Sequence, residues 1–122
     1  MERTERIEEE IKKVVSHVIG QELKDPRLTG LISVTKVSVT KDLKYCKVFV
    51  SMLGTSDINE AMTALKSSAG LVRREIGNSV RMHSTPEVKF ELDDSMEYGE
   101  KIQKIINDLD IKPIEEVEEN EE

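Results

Sequence analysis

The 122-residue chain has no tryptophan, one cysteine, three prolines and two histidines, and each scarcity closes off a class of chemistry. Cys46 stands alone, so no intramolecular disulfide is possible, which fits a reducing compartment. His17 and His83 lie far apart, and neither has a cysteine or second histidine at metal-ligand spacing, so no metal site is expected. The glycines at 20, 30, 54, 70, 77 and 99 never form GxGxxG or a P-loop. No stretch approaches the roughly 18 apolar residues of a membrane span. The opening MERTERIEEEIKK lacks the apolar run of a secretory signal. The expectation is a soluble, cytoplasmic protein without cofactor. Asp93 and Asp94 adjoin, but neighbours at a strand end point apart, and they read as a strand terminator. No catalytic constellation emerges, and no enzymatic activity is expected.

What is abundant is charge: 35% of residues are Asp, Glu, Lys or Arg, with a net charge of −7. That total averages two unlike regions. Residues 113–122 carry six glutamates and no base, whereas residues 24–89 carry eleven Lys/Arg against six Asp/Glu. Binding follows the local field of a surface rather than the total charge. The acidic tail is expected to be disordered, which leaves residues 1–112 as one domain, long enough to bury a core without staples.

Hydrophobic periodicity supplies the elements. Ile7, Ile11, Val14, Val15, Val18 and Ile19 repeat at helical spacing over 4–22, with Thr4 as N-cap and Pro26 beyond the end. Residues 31–39 (LISVTKVSV) and 45–53 (YCKVFVSML) are β-branched and alternating. In the second, Cys46, Val48, Val50 and Met52 share one face, and Tyr45, Lys47, Phe49 and Ser51 the other. In the first, Ile32 and Val34 are out of phase with Val37 and Val39, which predicts a bulge near Thr35–Lys36. The polar link Thr40–Lys44 makes the pair an antiparallel hairpin. A helix follows over 57–67, capped by Ser56 or Asp57, and the helical pattern resumes through Leu71, Val72, Ile76 and Val80. Pro86 opens a third strand over 87–93. A last helix is expected over 96–109, capped by Ser95. The result is an α+β arrangement, one three-stranded sheet with helices on one side.

Two features bear on function. The first is the basic set: Lys24 and Arg27 before the first strand, Lys36, Lys41, Lys44 and Lys47 on or beside the hairpin, and Arg73, Arg74 and Arg81 on or after the third helix. These are either an ordinary solvated surface or a phosphate-binding face; the second reading needs them to share one side. The other feature is the Ser68–Ala69–Gly70 junction inside a long apolar-periodic run. It is either the simple C-cap of a helix or a kink where a nucleic-acid backbone approaches closely. Aromatics are few. Phe90 alternates inward, while Tyr45 and Phe49 sit on the open strand face, where they either stack on a base or anchor a protein partner. A single-strand reader of the RRM kind is not expected from so few.

KDPRL at 24–28, ISVTKVSVTKDLKYCKVFVSMLG at 32–54, LKSSAGLVRREIG at 65–77 and PEVKFELDDS at 86–95 occur in an order and spacing that resembles the ribosome-binding factor A family. The resemblance covers roughly residues 4–109. It implies a type-II KH-like domain (α-β-β-α-kink-α-β), in which an Ala-x-Gly kink replaces the GxxG clamp. Here that kink maps to Ser68, Ala69 and Gly70, with Ser where the family usually has Ala; the Ser hydroxyl is able to bond a backbone carbonyl and alter the bend. The resemblance also implies a monomeric assembly factor without cofactor, catalytic residues or membrane contact. It implies 16S rRNA and the free 30S subunit as partners in late small-subunit maturation and rRNA processing, and a role in growth in the cold. The RNA-contacting residues expected are Lys24, Arg27, Lys44, Lys47, Arg73, Arg74 and Arg81. The competing expectation is a protein-interaction module that docks on ribosomal proteins or another factor through Tyr45 and Phe49.

Overall fold

The computed structural model describes residues 2–93. The elements are α1 (Arg3–His17), a π-helical turn (Val18–Glu22), β1 (Leu31–Val39), β2 (Tyr45–Leu53), α2 (Ile58–Ser67), α3 (Ala69–Ser79) and β3 (Glu87–Leu92). This is the expected order. The helix expected over 96–109 and the tail from Pro113 lie outside the described residues.

α1 begins two residues earlier than its sequence suggests. Its N-cap is Glu2, not Thr4, because the Glu2 backbone N–H donates to the Glu5 carboxylate at 3.0 Å. That reach-back satisfies a donor the helix cannot, and Thr4 falls inside the first turn. Ile7, Ile11 and Val15 form the buried stripe. The π-helical turn then widens the spiral, with the Leu23 N–H donating to the Val18 carbonyl at 3.0 Å. Val18 stays buried as a result, continuing the stripe past the end of the α-helix.

The sheet order is β1-β2-β3; β1 and β2 are antiparallel, β2 and β3 parallel. The bulge is where the phase change put it. Val34 pairs with Val50 and Lys36 with Phe49, so Thr35 is the extra residue. The Thr35 hydroxyl donates to Asp93 Oδ2 at 2.7 Å, while the Asp93 N–H donates to the Val50 carbonyl. Asp93 thus follows the last residue of β3 and fastens the bulge to it. In the hairpin turn, Leu43 adopts φ +59 and Thr40 Oγ1 accepts from the Lys44 and Tyr45 N–H groups. These side-chain bonds replace the ones a two-residue turn would make with its backbone.

One sheet face is apolar throughout: Val34, Val37 and Val39 on β1, Cys46, Val48, Val50 and Met52 on β2, Val88 and Phe90 on β3. α1 covers the β1 side of that face, and α2 with α3 covers the β3 side. Ile11, Leu65 and Ile76 are among the fully buried side chains between the layers, each contributing about 1.5–3 kcal/mol by leaving water. The β1 edge is blunted where the Val39 N–H donates to Glu8 of α1 at 2.8 Å. The opposite sheet face carries Tyr45, Lys47 and Phe49.

Candidate nucleic-acid interface

The break between α2 and α3 falls on Ser68, which ends one helix and starts the next with φ −89 and ψ 0. Its N–H donates to the carbonyls of Leu65 and Ala64, and its hydroxyl donates to the Leu65 carbonyl at 2.7 Å. Having turned back into α2, that hydroxyl caps nothing in α3, which starts without a side-chain cap. A plain C-cap would release the chain into a loop. Here it re-enters helix at once, with the Val72 N–H donating to the Ser68 carbonyl at 3.0 Å. Ser68 is therefore the bending residue, and Gly70 already belongs to the first turn of α3. A Cβ built on Gly70 would meet nothing within 4 Å, so nothing in the fold itself requires glycine there.

Two depressions flank the break. One, of about 400 Å³, is lined by Gly70, Arg73, Arg74, Gly77 and Thr85. The Arg73 guanidinium is fixed in it by donating to the Thr85 carbonyl through Nε (3.3 Å) and an Nη (3.0 Å), which leaves its other N–H groups for an anion. Arg74 is exposed and has no ion pair among the described residues. The second depression, of about 300 Å³, lies between the break and β3 and is lined by Lys66, Ala69, Val88, Lys89, Phe90 and Glu91. Lys66 and Glu91 are charged groups in its lining, while the Lys89 ammonium lies over the Tyr45 ring at 5.7 Å. The structure thus brings Ala69, Gly70, Arg73 and Arg74 together and adds Lys66 and Lys89, which the sequence reading missed. A signal for Lys66 was present: it lies four residues before Gly70, one helical turn away. Lys89 had none, because its place depends on β3 pairing with β2.

The other basic residues do not all join this group. Lys24 and Arg27 precede β1 at the Leu53 end of the sheet, where Leu31 pairs with Leu53 and the Thr55 hydroxyl donates to the Thr29 carbonyl. Arg73 and Thr85 lie at the opposite, Tyr45 end, where the Glu87 N–H donates to the Lys44 carbonyl. β2 separates these ends by roughly 26 Å at about 3.3 Å per residue. Arg27 is moreover engaged with Asp25, through Nε at 3.0 Å and Nη2 at 2.8 Å. That guanidinium holds the Asp25 carboxyl down at about 2, so its own charge is largely offset. Lys44 is exposed in the hairpin turn, Lys47 on the open face of β2, and Arg81 in the link from α3 to β3.

Among the described residues, no group of three or more His, Cys, Asp or Glu is placed to hold a metal ion. No helix among them is long and apolar enough to cross a membrane. Cys46 is fully buried, and that burial pushes its thiol up to about 12, the behaviour of a small core residue rather than a nucleophile.

The chain matches the family model described as ribosome-binding factor A over residues 3–106. A ribosome-binding factor A of Acetivibrio thermocellus is 55% identical over 109 residues, covering 88% of this chain and 89% of that protein. The crystal structure of ribosome-binding factor A from Thermus thermophilus superposes with a TM-score of 0.66 at 27% identity, over 73% of this chain and 93% of that one. A homology model of the Thermus thermophilus protein, fitted into an electron-microscopy map of its complex with the 30S subunit, gives 0.62 at 27% identity, again over 73% and 93%. With its kinked helix pair, its three-stranded sheet and a match along most of its length, the chain belongs to the ribosome-binding factor A family.

Proposed function

We propose that this protein is a ribosome-associated, non-catalytic assembly factor that binds 16S rRNA on the free 30S subunit during late small-subunit maturation and rRNA processing. It acts as a cytoplasmic monomer and supports growth in the cold. The observation that carries the RNA contact is the shared depression of Gly70, Arg73, Arg74, Gly77 and Thr85 beside the helix break. An exposed glycine lets a sugar-phosphate backbone approach, and two arginines neutralise it. The uncapped start of α3 adds a favourable field for an anion. The 30S complex of the Thermus thermophilus relative supports the choice of partner. Residues 1–112 form the binding domain and 113–122 an acidic appendage outside it.

Phosphate contacts of this kind position the protein and read little sequence. Lys44, Lys47 and Arg81 extend the surface from the Tyr45 end of the sheet; Lys24 serves a more distant stretch of RNA, and Arg27 beside it is held by Asp25. The test is binding of the full chain to protein-free precursor rRNA across a salt series. With about five phosphates neutralised, log K falls against log salt with a slope near −4. A flat response, or binding only to particles that carry ribosomal proteins, removes this mechanism. The second outcome would favour docking on a ribosomal protein, for which Tyr45 and Leu31 are the exposed large apolar groups among the described residues.

A further inference from the structure

The face of the sheet turned away from the helices carries a feature separate from the groove of Gly70, Arg73 and Arg74. The parallel register of β2 and β3 sets Lys47 directly opposite Lys89. Neighbouring strands lie about 4.8 Å apart, and like charges facing each other across that gap repel. Neither lysine lies within ion-pair distance of a carboxylate among the described residues, although Glu87 and Glu91 stand on the same face of β3. Two residues before Lys47 on the same face is Tyr45, 45% exposed and, among the described residues, one of two large hydrophobic side chains left open to solvent. The Lys89 ammonium sits 5.7 Å from the centre of its ring. Further along, the Lys36 ammonium lies 6.0 Å from the Phe49 ring. Lys41 and Lys44 extend the same end of the sheet at the hairpin tip.

An unneutralised lysine pair beside an exposed ring has a specific complement. An anion that bridges the two ammonium groups relieves their repulsion, and a planar apolar group attached to it covers the ring. A nucleotide supplies both, and a single strand supplies them repeatedly, since every base has a face to stack and every linkage a phosphate. An acidic protein segment would satisfy the lysines but not the ring. A duplex would present phosphates with its bases already stacked.

We propose that this sheet face is a second nucleic-acid contact, at which a phosphate of a single-stranded segment bridges Lys47 and Lys89 while a base stacks on Tyr45. It deepens the RNA-binding reading given above and rests on it for the class of ligand; Lys47 and Lys89 already belong to that surface, and Tyr45 is the residue added. The protein then holds two RNA segments, one on each side of β3, as a factor would that keeps a flexible strand beside a folded helix.

The test uses the full chain, a labelled single-stranded oligouridylate and an RNA hairpin of equal length, measured by fluorescence anisotropy. Tyr45→Ser weakens single-strand binding about tenfold, the loss of one stacked base, leaves hairpin binding unchanged, and Tyr45→Phe restores it. Lys47→Ala with Lys89→Ala lowers the salt slope for the single strand by about 0.7, the loss of one neutralised phosphate. Wild-type affinity of Tyr45→Ser for the oligouridylate overturns the proposal. So does a Tyr45→Ser protein that binds the oligonucleotide normally but loses 30S particles, because the face then docks protein. Arg73→Ala with Arg74→Ala separates the two readings. If that variant loses hairpin binding while Tyr45→Ser loses nothing, the groove beside the break stands and the sheet-face contact falls. If only Tyr45→Ser loses affinity, the reverse holds.

Discussion

The Ser68 hydroxyl donates to the Leu65 carbonyl at 2.7 Å, at the residue where α2 ends and α3 begins. The same carbonyl also accepts the Ser68 N–H at 3.0 Å. Removing the hydroxyl therefore leaves the carbonyl satisfied. Ser68→Ala is expected to change stability by no more than about 1 kcal/mol and to keep the break, since the backbone bond remains. Urea unfolding and rRNA binding check this; a large loss of either would make the hydroxyl the cause of the bend.

Gly70 separates stability from binding. Alanine there meets no neighbour within 4 Å and removes a glycine from a helix. Gly70→Ala is expected to stabilise the fold by up to about 1 kcal/mol while weakening rRNA binding, because the added methyl obstructs the approaching backbone. Thermal unfolding and affinity, measured on one sample, should move in opposite directions. Unchanged affinity would mean that no backbone comes close.

The arginines differ in what they offer a phosphate. Arg74→Ala is expected to weaken binding alike across RNA sequences and to reduce the salt slope by about 0.9. Arg27→Ala should leave the slope nearly unchanged, because its guanidinium is already held by Asp25 at 2.8 Å. Salt titrations of both variants test the contrast. An equal drop for the two would show that RNA competes successfully with the Asp25 carboxylate.

Two loop glycines share a left-handed backbone but not a neighbourhood. Gly30 has φ +73, and a Cβ on it would collide with the Leu53 carbonyl oxygen and the Gly54 backbone. Gly54 has φ +71 with nothing within 4 Å. Gly54→Ala is expected to cost about 1 kcal/mol in backbone strain. Gly30→Ala should cost at least about 2 kcal/mol, since strained backbone and a backbone clash add. Chemical denaturation of the pair measures the difference.

Cys46 is expected to be silent in the native state. Its thiol is buried and pushed up to about 12, so almost no thiolate is present or reachable at neutral pH. An aromatic disulfide reagent should leave it unmodified over minutes and label it fully in denaturant. Rapid native labelling would place β2 in an easily opened part of the fold.

Much of this was legible locally. The alternation Cys46, Val48, Val50, Met52 picks the buried face of β2 because a strand has a period of two. The phase slip between Val34 and Val37 marks the bulge at Thr35 for the same reason. The run from Ile58 to Val80, interrupted at Ser68–Gly70, announces two joined helices. The start of α1 was not legible, because Thr4 is the better cap by type, and only the Glu5 side chain reaching back to Glu2 moves the boundary. Which arginines share a groove was not legible either.

What the sequence by itself determined, then, was the kind and order of elements, the core face of each, the place of the helix break, and the family. The family comes from the resemblance of those motifs; the rest follows from periodicity and from residues near one another in the chain. The tertiary structure alone decided that β3 pairs in parallel with β2. That pairing sets Lys89 opposite Lys47, puts Thr85 within reach of Arg73, and leaves Lys24 and Arg27 at the far end of the sheet. A crossover's register is fixed by how α2 and α3 pack on the sheet, and no local pattern encodes it.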